Sequence, residues 1–164
     1  MRIWFDTEFI EDGRTIDLLS IGMVREDGAM LYLENVEAEL SKAGDWVQNN
    51  VISQLDWSRH GYTRAEITKA IVFFVGGHKP EFWAYYGAYD WVALCQLFGP
   101  MIDLPKGWPM YVRDLKQYAD LCGNPRLPEQ TTKKHHALND ALWTRVAFNW
   151  LDQTVAVGDI TRPV

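Results

Sequence analysis

The chain has 164 residues, of which 48% are apolar, and its 22 acidic and 16 basic side chains give a formal net charge of −6. This length and composition predict one folded domain and exclude a disordered chain, and no apolar run approaches the roughly 18 residues of a membrane span. A protein that binds phosphates with its own bulk charge should be basic. The net charge therefore argues against a passive nucleic-acid binder.

The acidic side chains are concentrated near the N-terminus. Residues 1–45 contain 11 acidic and 4 basic side chains, a net charge of −7, whereas residues 46–164 contain 11 acidic and 12 basic ones, a net charge of +1. Charge in the first few residues also argues against a secretory signal. Cys95 and Cys122 are too few for a disulfide framework and suit a reducing compartment. We therefore expect a cytoplasmic protein.

The first part of the chain predicts three strands. Residues 2–10, 16–25 and 29–34 are rich in bulky and β-branched side chains, as strands are. Asp12-Gly13 and Asp27-Gly28 indicate tight turns between them. Three strands joined by two tight turns predict an antiparallel meander.

The rest of the chain predicts mainly helices. Thr63 and Glu66 form a capping-box pattern that begins a helix over residues 63–75, which Gly76 ends. This order of elements predicts an α/β fold in which helices cover a mixed sheet, with a C-terminal tail over residues 154–164. The elements predicted after the first helix are a strand over 81–86, a helix over 88–97, a loop over 101–110, a helix over 112–121, a polar loop over 124–134 and a helix over 136–153.

Asp6 and Glu8 are the first candidate functional residues. They lie two positions apart in a predicted strand, so their side chains face the same side of the sheet. Two carboxylates in this arrangement repel each other and lose hydration unless a cation lies between them, and a divalent cation that prefers oxygen ligands would fit. The alternative is the polar face of an edge strand.

Asp90, Asp140 and His135 are further candidates. Asp90 follows a predicted strand and a glycine at the start of a helix, where the alternative role of its charge is to stabilise that helix. Within one helix, His135 and Asp140 would lie about 140° apart. If the helix begins near residue 136, His135 can turn from the preceding loop towards Asp140 and transfer protons. The alternative is an exposed histidine on a solvated loop.

The four acids, together with a histidine five residues before the last of them, resemble the motifs of the DEDDh 3′→5′ exonucleases. The runs over residues 6–16 and 87–101 look like the polyadenylate-specific exoribonuclease group, and the resemblance covers most of residues 1–151. The residues that match the motifs are Asp6, Glu8, Asp90, His135 and Asp140.

The resemblance implies an RNase H-like fold, with a mixed five-stranded sheet and flanking helices, in a single exonuclease domain over residues 1–153. It also implies two divalent cations, Mg²⁺ or Mn²⁺, that support phosphodiester hydrolysis. The implied substrate is the 3′ end of single-stranded RNA, with adenylate tracts as a candidate preference, cleaved to 5′-mononucleotides by a homodimer that contacts no membrane. By resemblance, the metal ligands are Asp6, Glu8, Asp90 and Asp140, and the general base is His135.

Side chains near the motifs are candidate substrate contacts. Phe9 and Ile10 directly follow the first two acids and are candidates for stacking on the terminal base, with core packing as the alternative. Arg126, Lys133 and Lys134 precede the last helix and are candidate phosphate contacts, with solvated loop charges as the alternative.

Two other functions remain open from the sequence. A DEDDh deoxyribonuclease or an oligonucleotide-trimming exonuclease would have the same catalytic residues. An inactive RNase H-like binding module is disfavoured, because all five catalytic positions are present. The net charge does not exclude a nucleic-acid enzyme, since two divalent cations would cancel four carboxylates and change the charge from −6 to about −2.

Overall fold

A computed structural model of the chain describes residues 1–157, and residues 158–164 of the predicted tail lie outside the described residues. Six strands form one sheet. They are β1 (Arg2–Glu11), β2 (Ile16–Arg25), β3 (Met30–Asn35), β4 (Gly61–Tyr62), β5 (Glu81–Ala84) and β6 (Arg113–Asp114), in the spatial order β4-β3-β2-β1-β5-β6.

The pairing within this sheet is mixed, as predicted. The antiparallel meander of β1, β2 and β3 is confirmed, whereas β4 pairs in parallel with β3, and β5 pairs in parallel with both β1 and β6. The predicted strand count of five is wrong by one. The two edge strands, β4 and β6, are only two residues long and cannot show an alternating pattern, and β6 replaces the beginning of the helix predicted over residues 112–121.

Within residues 1–157, six α-helices flank the sheet. The capping box at the start of the third one is confirmed, because the Thr63 and Glu66 side chains each bond the other residue's backbone N–H. The last helix runs four residues past its predicted end at Gln153, and the first two helices were not predicted. In the part of the chain that the structure describes, no helix is both long and apolar enough to cross a bilayer. The helices are α1 (Asp45–Asn50), α2 (Trp57–His60), α3 (Arg64–Val75), α4 (Ala88–Gln96), α5 (Leu115–Leu121) and α6 (Ala137–Val157).

Alternation along β1 sends successive side chains into two different apolar clusters. Ile3 and Phe5 pack with residues of α3 and α4 on one face of the sheet. Trp4 packs with residues of α5 and α6 on the other face. Asp6 and Glu8 continue the series of Trp4 along the strand, so their carboxylates face the layer that contains α6.

Gly22 on β2 allows the start of α6 to lie directly against the sheet. A Cβ atom at this position would come within 2.3 Å of the backbone of Ala137 and Leu138. Gly22 is also the cross-strand partner of Asp6. The close approach that this glycine permits therefore brings the first turn of α6, which contains Asp140, next to the carboxylate of Asp6.

Candidate active site

The structure brings all five predicted catalytic residues to one place. A cavity of about 400 Å³ opens where β1 extends beyond its pairing with β5, and its walls include both strand acids, the α4 acid, the α6 acid and the histidine. These residues are Asp6, Glu8, Asp90, Asp140 and His135.

A side-chain bridge between β1 and α4 fixes Asp90. The backbone N–H and the hydroxyl of Thr7 both donate to Oδ1 of Asp90, at 2.8 and 2.6 Å. Asp90 lies in the first turn of α4 and is only 6% exposed. Stabilisation of the helix alone would not require Asp90 to be buried. The two hydrogen bonds from Thr7 join the start of α4 to β1, the strand that carries Asp6 and Glu8.

His135 lies in the loop before α6, as predicted, because the helix begins at Ala137. Its backbone N–H donates to Oδ2 of Asp140 at 2.9 Å, and the amide of Gln130 donates to Oδ1 of the same carboxylate. The backbone of His135 has a φ of +59°, a left-handed conformation that is uncommon outside glycine. The backbone that carries the imidazole is thus fixed beside the cavity in an unusual conformation.

Burial and nearby carboxylates raise the pKa values of three acids in the cavity. Burial, followed by the nearby carboxylates, holds the pKa of Asp6 well above its usual range and raises the pKa of Glu8 to about 8. Burial also raises the pKa of Asp90 to about 6, although the hydrogen bonds from Thr7 act in the opposite direction. The site therefore resists full ionisation near neutral pH unless positive charge is supplied.

The donor set of the cavity fits divalent cations. Glu8, His135 and Asp140 each offer one ligand atom, and these atoms lie within 4.8 Å of one another. The carboxylates of Asp6 and Asp90 line the same cavity. Clustered carboxylate oxygens are the ligands that Mg²⁺ and Mn²⁺ prefer.

The two candidates for base stacking occupy different environments. Phe9 lines the cavity, and its ring meets the edge of Tyr89 at a centroid distance of 5.9 Å. Ile10 is only 2% exposed and belongs to a small apolar cluster with Leu19 and Val51. Ile10 therefore packs in the core, which was the alternative interpretation for both residues, whereas Phe9 lies at the cavity wall.

The three candidate phosphate contacts are also separated. Lys134 lines a second cavity of about 400 Å³, which shares Asp6, His135 and Asp140 with the first. Arg126 and Lys133 are exposed and line neither of these two cavities. Their positions on the loop fit solvated charges, which was the alternative for all three.

Several residues of the site were not predicted. Trp46 on α1 lines the first cavity, and its ring meets the edge of the His135 imidazole at a centroid distance of 4.8 Å. Tyr85 lines both cavities, and Tyr86 lines the first with a φ of +57°. The only sequence signal for these positions is the abundance of aromatic residues, which does not distinguish a cavity wall from a core.

Glu34 is a buried acid beside the site, in addition to Glu8 and Asp90, and the sequence gives no sign of its burial. Across the sheet, Glu8 pairs with Ser20, and Ser20 pairs with Glu34. Glu34 is 1% exposed, and its Oε1 accepts from the Tyr32 hydroxyl at 2.9 Å and from the Asp56 backbone N–H at 3.0 Å. A polar row therefore extends sideways from the cavity through the interior of the sheet.

Comparison with known proteins gives both a family and a fold. The family profile of the 3′-5′ exoribonuclease Rv2179c-like domain matches residues 1–151. The chain is 42% identical over 147 residues to the 3′-5′ exoribonuclease Rv2179c of Mycobacterium tuberculosis strain H37Rv, covering 86% of this chain and 87% of that protein.

Solved structures with the same fold are more distant in sequence. Zinc-bound E. coli exonuclease I in complex with single-stranded DNA has a TM-score of 0.67 at 12% identity, covering 94% of this chain but only 40% of that one. A 3′-exonuclease that recognises the histone mRNA stem-loop has a TM-score of 0.56 at 13% identity, covering 93% of this chain and 63% of that one. These likenesses confirm the predicted RNase H-like fold class.

Proposed function

The chain belongs to the Rv2179c-like 3′-5′ exoribonuclease family, and from this premise we propose that it shortens single-stranded RNA from the 3′ end by two-metal hydrolysis, releasing 5′-mononucleotides. One observation carries the proposal. Four carboxylates and a histidine from distant parts of the chain line one cavity, where burial and repulsion raise the pKa values of three of the acids.

In this proposal, Asp6, Glu8 and Asp140 hold one divalent cation and Asp90 holds a second. Bound Mg²⁺ or Mn²⁺ ions supply activation of the attacking water, stabilisation of the leaving 3′-oxygen, and compensation for the charge of the acids. The protein orients the carboxylates that would hold these ions. Thr7 orients the carboxylate of Asp90 through two hydrogen bonds, and the β1 backbone fixes Asp6 and Glu8.

His135 is the proposed general base. Its side chain lines both cavities, so a water beside the acids is within reach of the imidazole. A neutral imidazole nitrogen can accept the proton of the attacking water as the new bond to phosphorus forms. The hydrogen bond from the His135 backbone to Asp140 keeps this base next to a proposed metal ligand.

The two cavities suggest where the nucleotides bind. The first has aromatic walls, including Phe9 and Trp46, on which the base of the terminal nucleotide can stack. Glu8 is a candidate contact for the 2′-hydroxyl that distinguishes RNA from DNA. We extend the proposal to a preference for adenylate tracts, supported by the resemblance of the runs over residues 6–16 and 87–101, and to a homodimer in the cytoplasm.

A panel of oligonucleotides tests this function. We expect 5′-labelled RNA to be shortened stepwise with Mg²⁺ or Mn²⁺, oligoadenylate fastest, and DNA of the same sequence to be shortened more slowly. Equal or faster degradation of DNA would favour the deoxyribonuclease alternative, which the DNA complex of the E. coli neighbour makes worth testing. No degradation of either polymer, with both metals present, would favour the inactive module.

A further inference from the structure

Gln54 links a distant segment to the backbone of the catalytic loop. It ends a single turn of 3₁₀ helix over Ile52–Gln54, some 80 positions before that loop in the sequence. Its Nε2 donates to the backbone carbonyl of Lys134 at 3.1 Å and to that of His135 at 2.9 Å, and it also contacts the carbonyl of Asn50. One amide group therefore bonds two successive carbonyls of the loop.

The loop needs such support because His135 adopts a strained conformation. A left-handed backbone at a residue other than glycine is unfavourable and persists only where neighbouring groups enforce it. Here the N–H of His135 donates to Asp140 and its carbonyl accepts from Gln54, so both backbone polar groups are fixed. The imidazole also packs edge-on against the ring of Trp46.

We propose that Gln54 is a positioning residue for the general base, an inference that rests on the proposed function. By bonding both carbonyls, Gln54 fixes the peptide from which His135 reaches the first cavity and Lys134 reaches the second. Loss of these bonds lets the loop relax towards more common backbone angles. The imidazole then spends less time at the attacking water, while the carboxylates on β1 and α4 remain in place.

Gln48 supplies a matched control. It lies in the same segment, on α1, and its amide also donates to a backbone carbonyl, that of Ala43 at 2.9 Å. That bond is local and does not reach the loop before α6. Gln48→Ala therefore removes a comparable amide bond from the same part of the fold without releasing His135.

The test compares Gln54→Ala with Gln48→Ala in the wild-type and His135→Ala backgrounds, on 5′-labelled RNA. We expect Gln54→Ala to lower kcat about tenfold or more, because small displacements of a catalytic group are costly, with little change in KM. Gln48→Ala should leave kcat near the wild-type value. In the His135→Ala background, Gln54→Ala should have little further effect, because the group it positions is gone.

Gln54→Met keeps the fold test separate from the positioning test, since methionine has a similar length but no N–H donor. It should show the kcat loss of Gln54→Ala with a Tm close to that of Gln48→Ala. The inference is overturned if both Gln54 variants match Gln48→Ala in kcat, or if they lower kcat equally with and without His135. If wild-type protein fails to shorten RNA while remaining folded, the proposed function has failed instead.

Discussion

The cavity has two walls that are built in different ways. On the strand wall, Asp6 and Glu8 are fixed by the register of β1, and among residues 1–157 no hydrogen bond reaches either carboxylate from another side chain. On the wall formed by α4 and the loop before α6, hydrogen bonds hold Asp90, Asp140 and the backbone of His135. Among the described residues, the carboxylates of the strand wall therefore have no side-chain donors that offset their charge, whereas hydrogen bonds hold the groups of the other wall in place.

This difference predicts that the two walls fail differently. A change on the strand wall removes charge from a rigid support, so it should eliminate activity and leave the fold intact or stabilise it. A change on the other wall should alter the geometry of the base and reduce turnover by an amount that depends on how far the loop moves.

The largest effect is expected from Asp6→Asn on the strand wall. The amide keeps the shape of the side chain but removes a charge that a divalent cation requires, so kcat should fall about 10³-fold or more. Because burial and repulsion raise the pKa of Asp6, the variant should have a Tm equal to or above that of the metal-free wild type. RNA shortening and thermal unfolding check the two parts, and a large fall in Tm would contradict the rigid support of this wall.

His135→Ala tests the opposite wall. Loss of the general base should lower kcat by about 10²–10⁴-fold, while Mn²⁺ binding measured by calorimetry changes far less. Full retention of RNA shortening in this variant would show that His135 does not accept the proton.

Gly22→Ala tests the junction at which the two walls meet. The new Cβ would lie 2.3 Å from the backbone of Ala137, so α6 must shift, at a cost of about 1–3 kcal/mol and with a loss of activity. Gly77→Ala is the matched control, because a Cβ there meets nothing within 4 Å. Chemical denaturation and RNA shortening should rank Gly22→Ala well below the control, and equal values would contradict the contact.

The elements that the sequence predicted are those with a repeating pattern or a strong local signal. The meander shows turn residues between bulky strands, and α3 shows its capping box, so their bounds agree with the structure to within one or two residues. Asp6 and Glu8 were candidates because two carboxylates face the same side of a predicted strand. Asp90 and Asp140 each had a structural alternative and were selected by the family resemblance. The family resemblance then indicated that residues far apart in the sequence form one site, which no local pattern can show.

The features that were not predicted from the sequence are short elements or side chains whose environment depends on residues distant in the sequence. Helices α1 and α2 are six and four residues long, too short for a helical period, although α1 and the turn after it supply Trp46 and Gln54. Ile10 was a candidate for base stacking because it follows the first two acids in the sequence. Proximity in the sequence cannot show that its side chain enters an apolar cluster instead. Glu34 likewise gives no sign that its carboxylate is buried.

The pH dependence of stability gives a smaller effect, to which one acid from each wall contributes. The raised pKa values of Glu8 and Asp90 mean that the metal-free native state binds more protons than the unfolded state between pH 4 and their native pKa values of about 8 and 6. The free energy of unfolding should therefore fall as pH rises across that range. We expect Tm without metal to be about 5 °C lower at pH 8 than at pH 5.5, measured by calorimetry.

Two comparisons check the origin of this slope. Glu8→Gln should flatten the fall of Tm with pH, because the amide has no proton to release. Mn²⁺ should raise the Tm of the wild type more at pH 8 than at pH 5.5. A wild-type Tm that rises steadily over this range without metal would contradict the assignment of raised pKa values to the site.

The smallest expected effect concerns the loop lysines. Lys134 lines the second cavity and its neighbour Lys133 does not, so Lys134→Ala should raise KM for RNA severalfold and Lys133→Ala should change KM less. The salt dependence of KM should weaken in parallel for Lys134→Ala, since one phosphate contact is lost. Identical KM values for the two variants would show that Lys134 does not contact the substrate.

We propose that RNA shortening depends on divalent cations held by the carboxylates of the strand wall. The most direct measurement is the rate of 3′ shortening of 5′-labelled RNA as free Mn²⁺ is raised from zero in chelator, for the wild type and Asp6→Asn. We expect no shortening in chelator, recovery of the wild type with Mn²⁺, and no recovery of Asp6→Asn at any concentration. Shortening by the wild type in chelator, or full recovery of Asp6→Asn, would contradict this proposal.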